Sequence, residues 1–350
     1  MQKTFSKEHS SAAKGLAILL LLAYHLFENE TLITSMDVIY SPFSLQTFLM
    51  FTRFGNICVS VFVFLTSFGI STGLMARDGL LPLSDAYKQA GRRFVTLMAN
   101  FAILYLSANL LWWYLLDYQS LYGLNKQGLL YFVSDWLGLS MFFNTPTLNE
   151  SWWYMEIAYI LIFLVPLLTY LVKKLGNITL LIICLLPFVV VVQPDVARYL
   201  FIAVFGVCAA CGHWLDKLLN LRLHPALQWL IGIAGFILCV LIRQNYVVYE
   251  TYVWLVDAPI AMFLVYLGAA LIGSVPILNK VMIFIGKHSM NIYLVHTFFY
   301  MIFWRKYIYY FRYAGVTLLV LLTCCLLYSI ILELLKKVTR LEKLLARLHG

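Results

Sequence analysis

Charge is what this sequence most lacks. Asp, Glu, Lys and Arg together make up 12% of its 350 residues, against 63% apolar residues. That leaves too little polar surface to cover a water-soluble globule of this length. Internal repeats, low-complexity tracts and an appended soluble domain are also missing. The seven cysteines (Cys58, Cys184, Cys208, Cys211, Cys239, Cys324 and Cys325) lie within or beside apolar runs, not in the polar loops where a disulfide framework would sit. Free buried thiols are expected. Cys208, Cys211 and His213 have a metal-like spacing but no further convergent ligands, so no metal site is expected. Lys3, Lys7 and Lys14 precede an apolar run like the start of a secretory signal, yet no small-residue cleavage site follows. The run is read as a retained first span.

What is present is a series of long apolar segments. In lipid every backbone polar group must be bonded internally, and these runs are too continuously apolar for alternating barrel strands. The expected fold class is therefore all-α, a polytopic transmembrane helix bundle. At about 20 residues per crossing, spans are placed near 12–30, 54–74, 94–116, 153–172, 178–193, 198–215, 226–243, 255–273, 282–304 and 314–335. Segment 128–143 is short and interrupted by Ser134 and Asp135, so it reads as a re-entrant or interfacial helix.

With the N-terminus inside, 18 of the 25 Lys and Arg fall on the cytoplasmic side. That asymmetry favours ten spans with both termini cytoplasmic, in the cell (inner) membrane. Arg305, Lys306 and Arg312 fall on the outer side against the trend. The net charge of +9 thus faces anionic headgroups of the lipid bilayer or a phosphorylated cytosolic substrate, and nucleic acid is not implied. Residues 1–335 are read as the membrane domain and 336–350 as a cytoplasmic amphipathic tail. Over 333–348, Leu334, Val338, Leu341, Leu345 and Leu348 share one helix face.

An ionisable side chain inside a span is costly unless paired or hydrated, which makes each one a functional candidate. Lys14 and His25 are eleven positions apart, within about 20° of the same helix face and separated by roughly 16 Å along the axis. One would sit at the cytoplasmic mouth and the other in the outer half, lining one continuous polar passage. Glu156 begins a span after Trp152, Trp153 and Tyr154, at the depth expected of His25. A carboxylate there could orient the imidazole as a general base, or simply reach the headgroups from an aromatic belt. His296 follows Ser289, Asn291 and Tyr293 on one late span. These four are read as supporting polar groups, which often bridge spans. Arg92 and Arg93 precede the third span; adjacent guanidiniums suit phosphate, and the positive-inside bias would also place them there.

These segments together resemble the acyltransferase 3 family of bacterial multi-pass membrane O-acyltransferases. Its first span carries Arg or Lys, ten residues, then His, as in KGLAILLLLAYHL from Lys14 to Leu26. GNICVSVFVFLTSFGIS, Gly55 to Ser71, is similar to the family's second span, with Ser67-Phe68-Gly69 in place of a Ser-Gly pair. Arg92-Arg93, Trp152 to Glu156, and the set Gly286, Ser289, Ile292, Tyr293, Leu294 and His296 match its later segments. The family's Asp-Gly-Leu-Arg lead-in is absent.

The resemblance implies transfer of an acyl group, most often acetyl, from cytosolic acyl-coenzyme A to a hydroxyl of a cell-surface glycan or lipid-linked sugar. It makes acyl-coenzyme A a co-substrate and implies no bound cofactor. His25 and Glu156 become the expected catalytic residues, with Lys14, Arg92 and Arg93 binding the donor. The rival expectation is a transporter of a glycan or lipid intermediate with His and Glu as proton relays, but paired inverted repeats are not evident.

Overall fold

The computed structural model describes residues 3–76, 79–189, 194–339 and 345. Helix α1 (Lys7–Phe27) starts at a capping box, in which the Ser6 hydroxyl accepts from the His9 backbone N–H and His9 Nδ1 accepts from that of Ser6. After the short α2 (Glu30–Ser35), α3 (Leu45–Phe54) runs through a tight turn at Gly55–Ile57 into α4 (Cys58–Leu74). A two-residue hairpin, β1 (Met75–Ala76) with β2 (Gly79–Leu80), reverses the chain into α5 (Leu83–Trp112). Then come α6 (Tyr118–Leu121), α7 (Lys126–Trp136), α8 (Trp153–Leu175), α9 (Ile178–Val189), α10 (Pro194–Cys211), α11 (Trp214–Leu219), α12 (Pro225–Gln244) and α13 (Val253–Ala270). The chain closes with α14 (Pro276–Lys287), α15 (Ser289–Thr297), a wide π-type turn over Phe298–Phe303, α16 (Arg305–Ile308) and α17 (Ala314–Val338).

This is the all-α polytopic bundle the apolar runs imply. Large apolar side chains point outwards along α12, as at Leu230, Ile233 and Leu238, while α1 buries the small Ala12, Ala13, Gly15 and Ala17. Lipid offers no hydrophobic drive between helices, so close backbone contact has to hold them. Helix α1 shows this most clearly, with α14, α13 and α4 packed around it. A Cβ at Gly15 would overlap the Met282 carbonyl, and one at Gly286 would overlap the Ser11 carbonyl. The glycines therefore let α1 and α14 meet backbone to backbone.

Seven segments among the described residues are long and apolar enough to cross a membrane: Lys7–Phe27, Leu45–Leu74, Leu83–Leu115, Glu150–Leu175, Pro225–Gln244, Val248–Ser274 and Ala314–Val338. Two more, Arg198–Cys211 and Ser289–Phe303, are apolar but shorter. The run expected as one span at 282–304 is broken at His288, whose backbone N–H closes α14 before α15 begins. The run expected at 178–193 is helical to Val189, and its last four residues lie outside the described ones. The tail expected at 333–348 likewise lies outside them beyond Thr339, apart from Leu345.

Helix α7 is about 16 Å long, too short to span. It is followed by turns at 137–144 that lead back towards α8. Asp135 anchors this segment, accepting from the hydroxyls of Tyr122, Ser140 and Thr147 and from the Leu148 backbone N–H. Burial raises the Asp135 carboxyl above its ordinary range in spite of those four donors.

Candidate active site

His25 lies in the last turn of α1, one turn before the helix ends at Glu28. Three residues apart on a helix, the two side chains face each other, and Nδ1 of His25 is 3.6 Å from the Glu28 carboxylate. Burial alone would raise the Glu28 carboxyl, but contacts with His25 and Tyr24 and the charge of Arg53 hold it below its usual range. His25 and Glu28 border a cavity of about 700 Å³, together with Tyr24, Asn149, Thr297 and Tyr300. The Thr297 hydroxyl is buried there without a partner among the described residues.

On its other side the His25 ring packs against His296, with centroids 4.8 Å apart, and against Tyr300. His296 is fully buried. It sits where α15 opens into the π-type turn, a widening often found at functional sites. Three side-chain donors reach the carbonyls of the preceding turn: His296 Nδ1 to Tyr293, and Asn149 Nδ2 and Trp152 Nε1 to Leu294. The loop before α8 is thereby tied to α15 beside the cavity.

Lys14 borders a second, smaller cavity of about 180 Å³ towards the other end of α1, with Thr66, Leu97, Tyr154, Ser289 and Tyr293. Its ammonium has no hydrogen-bond or ion-pair partner among the described residues. Leu97 is one turn along α5 from Arg93, whose Nη2 rests against Gly73 of α4. Neighbours on a helix point about 100° apart, so Arg93 turns into the bundle while Arg92 is exposed. The structure thus half-buries Arg93 against α4 and leaves Arg92 at the surface, and neither lines the Lys14 cavity.

Lys14 and His25, expected to line one passage, border two cavities. Tyr293 borders both. Its ring packs against Tyr154 and Phe62 at centroid separations of 5.2 and 6.2 Å, so aromatic rings stand across the route.

Glu156 does not reach His25. Its Oε1 accepts the Met141 backbone N–H at 2.5 Å, and it borders a pocket with Asp135 and Ser140 that shares Thr147, Glu150 and Trp153 with the wall of the His25 cavity. The turns after α7 fold back onto the start of α8 and capture it. The carboxylate beside His25 is Glu28. Ser289 sits on the wall of the Lys14 cavity. Asn291 instead points to α17, donating to Ser329 and Glu333 at 2.8 and 2.9 Å, so it braces helices away from both cavities.

A buried charge cluster was missed altogether. Asp257 of α13 accepts from Ser60 of α4, Arg198 of α10 and Arg243 of α12, with the closest guanidinium contact at 2.5 Å. It ties four helices together. The cysteines are free, and no metal-holding group of three His, Cys, Asp or Glu occurs among the described residues. His213 is exposed and pairs with Asp216.

A family model described as an acyltransferase domain, that of the acyltransferase 3 family, matches residues 11–335. No curated protein and no solved structure matches the chain.

Proposed function

The chain belongs to this acyltransferase family, and on that premise we propose that it moves an acyl group, acetyl foremost, from cytosolic acyl-coenzyme A to a hydroxyl of a cell-surface glycan or lipid-linked sugar. The observation that carries this reading is the placement of Lys14 and His25 on one helix face, each at its own cavity, with Tyr293 on the wall of both. The Lys14 end is the cytoplasmic, donor end, and both termini are cytoplasmic in the inner membrane. Lys14 and Arg93 attract the coenzyme A phosphates. The acyl-pantetheine arm reaches past Tyr293 towards His25, a distance of roughly 16 Å along α1.

At the His25 cavity the acceptor hydroxyl gives its proton to His25 as its oxygen attacks the thioester carbonyl. The carbon–sulfur bond then breaks, and the leaving thiolate takes the proton from the imidazolium. Glu28 orients the ring and stabilises its charged form, a role in which a carboxylate need not itself be protonated. Glu156 shapes the loop at 141–142 and stays outside the proton path.

The test is purified protein in lipid with labelled acetyl-coenzyme A, together with mass spectrometry of surface glycans from cells with and without the protein. Coenzyme A release and a lost acyl increment are expected. Movement of a sugar intermediate without coenzyme A release would replace the reading with transport.

A further inference from the structure

His296 Nδ1 is 2.6 Å from the Tyr293 carbonyl oxygen. A carbonyl oxygen can only accept, so Nδ1 carries the hydrogen, and in a neutral ring Nε2 carries the lone pair. That Nε2 is buried with no partner among the described residues. A buried acceptor left empty is costly, and this one belongs to a ring in contact with His25. A bracing histidine would be expected to have both nitrogens occupied. Here the bracing bond uses one nitrogen and leaves the other waiting for a donor.

Resting on the reading of the His25 cavity given above, we propose that His296 is a positioning residue for His25, through its Nε2 lone pair. His25 presents Nδ1 to Glu28, which leaves its Nε2 to take the acceptor's proton. When the hydroxyl's O–H bond breaks and the N–H bond forms, His25 becomes an imidazolium with a hydrogen on each nitrogen. Its Nδ1–H faces Glu28. Its Nε2–H, left without a partner as the acceptor oxygen moves onto the carbonyl carbon, is received by His296 Nε2. The proton is held there until the coenzyme A thiolate takes it back from His25. No proton is gained or lost by His296 itself, whose N–H stays on the Tyr293 carbonyl.

Two amide substitutions separate the nitrogens. In His296→Gln the longer side chain brings a carbonyl to about the Nε2 position. In His296→Asn the shorter one reaches only the Nδ1 position and restores the donor to Tyr293. With His25→Ala as the control, we expect the Gln variant to keep kcat within about tenfold of the parent and the Asn variant to lose about a hundredfold. The KM for acetyl-coenzyme A should be unchanged in both. A bracing role would reverse that order, because it needs only the Nδ1 bond; Asn equal to or better than Gln overturns the proposal, as does parental kcat in both. Retained transfer in His25→Ala would instead remove the reading of the whole site. Should neither amide variant fold, ring-15N NMR of the unmodified protein decides. Two of its seven histidines, His25 and His296, should show hydrogen on Nδ1 only, and fewer than two such rings overturns the proposal; so does loss of none of them in His296→Gln where that variant folds.

Discussion

Two clusters of buried ionisable side chains sit in this bundle, and they are built on opposite terms. Around Asp257, donors from Ser60, Arg198 and Arg243 fill both carboxylate oxygens, and neither Asp257 nor Arg243 is exposed at all. Around His25 the contacts are looser. The carboxylate stands 3.6 Å from the ring, Thr297 and His296 each keep an unused polar atom, and a cavity of about 700 Å³ opens alongside. Both clusters cost desolvation. The first recovers most of it inside the protein, with Arg243 Nη1 buried and unpartnered among the described residues, whereas the second stands beside open space. Burial of charge alone does not distinguish a site from a clamp; an adjoining cavity does.

Variants can break that contrast. His25→Ala should lower acyl transfer by about 10²–10⁴-fold, the range of a lost general base, with little change in the thermal midpoint. A large stability loss with modest activity loss would make His25 a clamp. Asp257→Ala should do the reverse. Removing one partner of a buried ionic set costs about 3–5 kcal/mol, read as a lower denaturation midpoint in detergent. If the midpoint holds while turnover falls, the clamp belongs to the reaction.

A smaller effect is expected at the donor end. Lys14→Ala or Arg93→Gln should each raise the KM for acetyl-coenzyme A about tenfold, the scale of one charge-assisted hydrogen bond, while exposed Arg92→Gln should change it less. Equal effects at Arg92 and Arg93 would mean that general positive charge, not the turned-in side chain, attracts the donor. The smallest concerns acid. Because the Glu28 carboxyl is held below the ordinary 4.5, its stabilising contribution is full above that value and fades as pH falls through the lowered one. Glu28→Gln should flatten the stability curve in that acid window, and an unchanged curve would show that the His25 and Tyr24 contacts are not made in solution.

Some of this was legible in the sequence because it depends on one helix at a time. The shared face of Lys14 and His25 follows from 100° per residue, and the membrane class follows from the apolar runs. Glu28 was legible in principle, three residues beyond His25, but as an acidic residue past the end of a span it reads as solvent-facing. Asp257, Arg198 and Arg243 sit at span ends, where charge is cheap. Their pairing joins residues 59 and 14 positions apart, which no periodicity reports. The break at His288 falls on the polar stretch Gly286-Lys287-His288-Ser289, which the span placed at 282–304 ran across because apolar runs flank it on both sides. For Glu156 the depth was estimated and the lateral position was not: its carboxylate accepts from the Met141 backbone in the turns after α7, a pairing that no single-helix periodicity reports.

The backbone contact between α1 and α14 has a consequence for which donors can react. With Gly15 and Gly286 leaving no gap between the two chains, α1 cannot slide or roll without a clash, so the interval from Lys14 to His25 works as a fixed ruler. On the proposed reading a donor would be gauged against it from its phosphates, and an arm that falls short or overshoots would present its carbonyl to the wrong turn of the helix. Flexibility is left to the Tyr293 ring, which can swing aside without altering the graduation.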